Sequence, residues 1–77
     1  MNTDYLFDNT DFCEMWKIFN EYLLEDHGIT LDDEGIKKRL TKLDQLCKGD
    51  AKKAARIVEV MIVRGETVIF MPNDNEF

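Results

Sequence analysis

The stretch "LCKGDAKKAARIVEVMIVRG", residues 46–65, reads as the end of one helix, a turn at Gly49-Asp50, and a second helix. Asp50 is placed to accept hydrogen bonds from the first free amides of that second helix. Ala51, Ala54, Ala55, Val58, Met61 and Ile62 recur with helical period and form one apolar face. Gly65 stops the run. Ile57, Val60 and Val63 make the helix apolar on more than one side, so it is expected to be the most buried helix, or to meet something else with its second side. Lys52, Lys53 and Arg56 lie on the face away from the alanines. That face is a nucleic-acid reader, a surface for an acidic partner, or simply a solvated side.

Working outward, a helix over residues 32–48 begins at Asp32 or Asp33, where acids favour a helix N-terminus. Its apolar positions are Ile36, Leu40, Leu43 and Cys47, with Leu46 beside them. An earlier helix spans 11–27. Asp11 is its expected N-cap, with Glu14 three residues on in capping-box position. Phe12, Met15, Trp16, Phe19, Tyr22 and Leu23 form its stripe, and Gly28 suits the left-handed position that ends it. The segment "ETVIFM", 66–71, is β-prone. It either packs over the bundle, the preferred reading, or pairs with "TDYLF", residues 3–7.

The expected fold is all-α: a small three-helix bundle over 11–27, 32–48 and 50–64 with a short C-terminal extended segment, minor β pairing of 3–7 with 67–71 being the alternative. Residues 1–77 make one domain, with 1–10 and 72–77 flexible. The expected core is Phe12, Trp16, Phe19, Leu23, Ile36, Leu40, Leu43, Ala54, Val58, Met61 and Ile62. A chain of 77 residues buries only about 60% of the surface its unfolded form exposes, leaving little room for a deep substrate pocket.

Charge is divided along the chain. Residues 1–34 hold ten carboxylates against Lys17 alone, whereas residues 35–64 hold nine cations against three carboxylates. The net charge of −6 therefore conceals an acidic half and a basic half. The longest apolar runs fall far short of the roughly 20 residues of a membrane span. The acidic start lacks the cationic and apolar regions of a signal peptide, so a cytoplasmic location and no membrane partner are expected.

Chemistry-bearing patterns are sparse. Serine is absent. Cys13, Cys47 and His27 lack the spacing of a zinc site, and both cysteines are expected as reduced, buried hydrophobes. "DDE" at 32–34 lacks calcium-loop spacing and reads as a helix start. The four glycines are too widely spaced for a phosphate loop. No catalytic residue, metal or cofactor is expected, and the chain is read as non-enzymatic.

Three surfaces are candidates. Lys37, Lys38, Lys42 and Lys48 with Lys52, Lys53 and Arg56 can merge into one basic strip if their helices lie side by side. Asp4, Asp8, Asp11, Glu14, Glu21 and Glu25 form an acidic face. In the tail "NDNEF", Asp74, Glu76 and Phe77 resemble the acidic C-terminal tips by which bacterial single-stranded-DNA-binding proteins recruit partners.

Residues 12–70 resemble the C-terminal helical unit of many phage replication-initiation and helicase-loader proteins. The matching positions are Trp16, Tyr22, Leu40, Leu43, Gly49, Asp50, Ala54, Ile57, Val58, Glu59, Ile62, Gly65 and Phe70. Two places depart from the pattern: Met61-Ile62 stands where the family has Ser-Ile, and Arg64-Gly65-Glu66 where it has Asn-Gly-Trp. The resemblance implies a phage or mobile-element accessory protein that contacts the DNA-replication machinery. A protein partner leads, with homo-oligomerisation as an additional outcome. The alternatives are a nucleic-acid-binding accessory acting through the basic face, and an acidic inhibitor occluding a nucleic-acid-binding surface of a host or defence protein.

Overall fold

Local signals and long-range packing combine in the computed structural model, which describes residues 3–72. Its helices are α1 (Asp4–Phe7), α2 (Thr10–His27), α3 (Asp33–Cys47) and α4 (Ala51–Arg64). The fold is an all-α bundle, as the apolar periodicities imply. The helices α2, α3 and α4 match the three expected ones within a residue or two at each end.

Caps set those ends. Asp32 accepts from the Gly35 amide at 2.7 Å, and Asp50 accepts from the Lys52 and Lys53 amides at 3.1 and 3.2 Å. Gly28 and Gly65 take the left-handed conformation at φ 66° and 77°, where a side chain would be strained. One cap differs from expectation. Asn9, not Asp11, caps α2 by accepting from the Phe12 amide at 3.0 Å. Asp11 sits inside the first turn instead, where its charge still complements the helix dipole.

The hub is α4, against which α2, α3 and α1 all pack. Ala54, Ala55, Ile57, Val58, Val60 and Met61 are buried along it. Leu40, Leu43 and Cys47 of α3 and Phe12, Phe19 and Leu23 of α2 complete the centre. The helices α2 and α4 run parallel. Asp11 and Met15 share a groove with Lys52 and Ala55 near both N-termini, and the Tyr22 hydroxyl reaches the Glu66 carbonyl at 3.0 Å just past the end of α4.

Three expected core residues, Trp16, Ile36 and Ile62, are only half-buried. Trp16 lies on the flank of the α2 stripe. It stacks on Phe12 with ring centroids 5.9 Å apart and meets the edge of Phe7 at 6.5 Å. The larger revision is at the N-terminus. Residues 3–7 do not pair as a strand with 67–71: Asp4–Phe7 are helical, and no strand occurs among the described residues. Within the stretch 1–10 expected to be flexible, Leu6 is fully buried. The Tyr5 hydroxyl donates to Asp44 Oδ1 at 2.5 Å and lies 3.3 Å from Cys47 Sγ, tying α1 to α3. A four-residue helix has no stability of its own, so these contacts hold it.

The extended segment after Gly65 packs rather than pairs. Tyr22 of α2 and Arg39 of α3 donate to the carbonyls of Glu66 and Thr67, at 3.0 and 2.8 Å. Ile69 and Pro72 are buried, and the Arg64 guanidinium lies over the Phe70 ring at 5.2 Å.

Candidate functional site

The seven candidate cations fall in three places. Lys37, Lys38 and Lys42 are exposed on the outer side of α3, with Lys48 exposed at its C-cap. Lys37, Lys38 and Lys42 share a shallow groove with Glu34, Thr41 and Gln45. Lys52 and Arg56 point elsewhere. They line the cleft between α2 and α4, together with Asp11, Glu14 and Glu59, over a floor of Met15 and Ala55. Arg56 is ion-paired with Glu59. Lys53 is half-buried on another side of α4. The single basic strip is thus divided, because the part of α4 that carries Lys52 and Arg56 borders the acidic helix.

All six acidic candidates are exposed: Asp4 on α1, Asp8 after it, and Asp11, Glu14, Glu21 and Glu25 on α2. Glu14, Glu21 and Glu25 recur at helical spacing along the solvent side of α2, whereas Asp11 and Glu14 also rim the cleft. Asp74, Glu76 and Phe77 lie outside the described residues.

Several large apolar side chains are exposed. Val63 on α4 is 81% exposed and Val68 54% exposed, with Ile18 and Leu24 also in solvent. The signal for Val63 was present: the second apolar side of α4 splits, its Ile57 and Val60 entering the core and Val63 facing out. Val63 lies beyond Arg56 and Glu59 on the same outward stripe of α4.

The titratable side chains inside the bundle act as ties. The Tyr22 hydroxyl spends its proton on the Glu66 carbonyl, so His27 Nε2, 2.9 Å away, is the donor of that pair. Burial first, then the carboxylates of Asp26 and Glu66, push the Tyr22 phenol above its ordinary range. Burial and the bonds to Asp44 and Cys47 do the same to Tyr5 more strongly. Both phenols therefore stay protonated and keep donating. The Cys13 thiol bonds the Phe7 carbonyl at 3.0 Å, while Cys47 meets Tyr5 and His27 meets Tyr22. The two cysteines and the histidine thus engage separate partners. Among the described residues, no group of His, Cys, Asp and Glu is placed to hold a metal, and no helix is long and apolar enough to cross a membrane.

Fold and surface together define a small helical bundle with two differently charged grooves. Comparisons with protein-family models, with curated proteins and with solved structures gave no match to this chain.

Proposed function

We propose that this protein is a non-enzymatic interaction module, acting in the cytoplasm, that binds a protein partner across α4 and the α2/α4 cleft. The partner class is a component of the DNA-replication machinery of a phage or mobile element, which the resemblance of residues 12–70 points to. The observation that carries the binding reading is the composition of the cleft. Lys52, Arg56 and Glu59 of α4 stand opposite Asp11 and Glu14 of α2, over Met15 and Ala55, and Val63 is exposed beside them. A nucleic-acid backbone laid there would meet carboxylates on both walls, at a cost of like-charge repulsion. A protein surface with alternating charges and an apolar centre suits it better.

The test is a titration against a phage replicative helicase and its helicase loader, read by biolayer interferometry. Saturable binding is expected, weakened tenfold or more by Met15→Glu and by Val63→Asp, as a central apolar anchor requires. Gel shifts with single- and double-stranded DNA between about 50 and 200 mM salt should show no retention. Retention with a steep salt slope, removed by Lys52→Ala with Arg56→Ala, would replace this reading with the nucleic-acid one. No binding to either replication protein removes that partner class.

A further inference from the structure

A third groove, between α3 and the C-terminal segment, differs from the cleft and from the outer groove of α3 in having no carboxylate in its lining. Lys38, Arg39 and Lys42 form one wall, and Val68 and Ile69 the other. Its volume of about 210 Å³ lies below the range of small-molecule pockets, roughly 300–1,000 Å³, and is better matched to a side chain than to a cofactor.

The cations there differ in freedom. Arg39 is fixed by its bonds to the Thr67 carbonyl at 2.8 Å and, more weakly, to the Gly35 carbonyl at 3.3 Å, and its buried Nε has no hydrogen-bond partner. Lys42 has no ion-pair partner among the described residues, and Lys38 has only Glu34 at 3.8 Å, with both side chains more than three-quarters exposed. A held guanidinium loses little entropy when an anion arrives, and two extended lysines beside it supply most of the attraction.

We propose that this groove takes an extended acidic peptide of the pattern acid–aliphatic–acid. This inference rests on the protein-binding reading above but names a different face and the chemistry of what docks on it. The spacing matches. Lys38 and Lys42 are one helical turn apart, about 6 Å along the axis. Alternate residues of an extended peptide are about 6.6 Å apart, so two carboxylates can meet the two lysines. The intervening side chain then points the other way, toward the exposed Val68. Nucleic acid fits less well, because no aromatic ring lines the groove for a base to stack on.

Random heptapeptides displayed on phage are selected on the folded wild-type protein, on Met15→Glu, and on Lys38→Glu with Lys42→Glu. Peptides carrying two acids around a large aliphatic residue are expected on the first two. Their affinity, read by fluorescence anisotropy, should fall at least tenfold on the double reversal. Val68→Ser should weaken them several-fold while leaving the salt slope unchanged. Circular dichroism of each variant confirms that the helices persist. The proposal fails if no acidic pattern is enriched, if enriched peptides bind the double reversal undiminished, or if a labelled single-stranded oligonucleotide binds wild type more tightly at the same salt. Helicase binding without acidic selection would overturn this inference and leave the α2/α4 reading intact. Acidic selection without binding to the helicase or its loader would uphold this inference and remove the replication proteins as the partner class.

Discussion

Val58→Asp is expected to abolish the fold. Val58 is fully buried in the middle of α4, the helix on which the others pack. An unpaired carboxylate there costs several kcal/mol whether it stays charged or takes up a proton. At roughly 0.05–0.15 kcal/mol per residue, a chain of this length has only about 4–12 kcal/mol of stability in all. The matching control is Val63→Asp, five positions along the same helix at a side chain that is 81% exposed. Far-ultraviolet circular dichroism should show the first variant largely unfolded and the second helical, with a melting temperature close to that of wild type. Equal behaviour of the two would mean that the inner and outer sides of α4 are misassigned.

The second large effect is expected from Leu6→Ala. Leu6 is fully buried, and α1 is too short to persist without its docking contacts. Truncating a buried leucine costs about 2–5 kcal/mol. For a domain of this size each kcal/mol lowers the melting temperature by roughly 4–8 °C, so a fall of about 10 °C or more should be seen by thermal denaturation. A change under about 0.5 kcal/mol would place Leu6 in solvent and restore the expectation of a flexible N-terminus.

These two substitutions also mark where sequence reading succeeds and where it stops. Val58 was legible because it belongs to a run with helical period bounded by Asp50 and Gly65, both of which serve as the caps they resemble. The stripes of α2 and α3 were legible for the same reason. Leu6 was not, because four residues carry no period, and its burial depends on a helix edge that exists only once α2 and α4 have packed. Asn9 and Asp11 are both able to cap a helix, and the capping-box spacing to Glu14 favours Asp11, which is not the residue that caps. Ile57, Val60 and Val63 were legible as a second apolar side of α4, but which of them enter the core is decided by the packing of α1, α2 and α3 around it.

The candidate surfaces follow the same division. Most charged side chains among the described residues are exposed, as charges generally are, although Lys53 and Arg39 are half-buried. Which helix faces which was not readable. Lys52 and Arg56 join Asp11 and Glu14 only because α2 and α4 lie parallel and adjacent. The groove at Arg39 requires the chain after Gly65 to fold back over α3, a placement made by two carbonyl bonds from side chains remote in sequence.

The central claim is that α4 is the hub of the bundle, with α1 docked as part of the structure. Native-state amide hydrogen exchange tests it most directly, because exchange rates rank local stability residue by residue. The amides of Val58 to Ile62 should exchange most slowly of all, requiring global unfolding, and the amides closing the α1 turn should show measurable protection. Slowest exchange confined to α2 and α3, with α4 exchanging through local opening, would contradict the account.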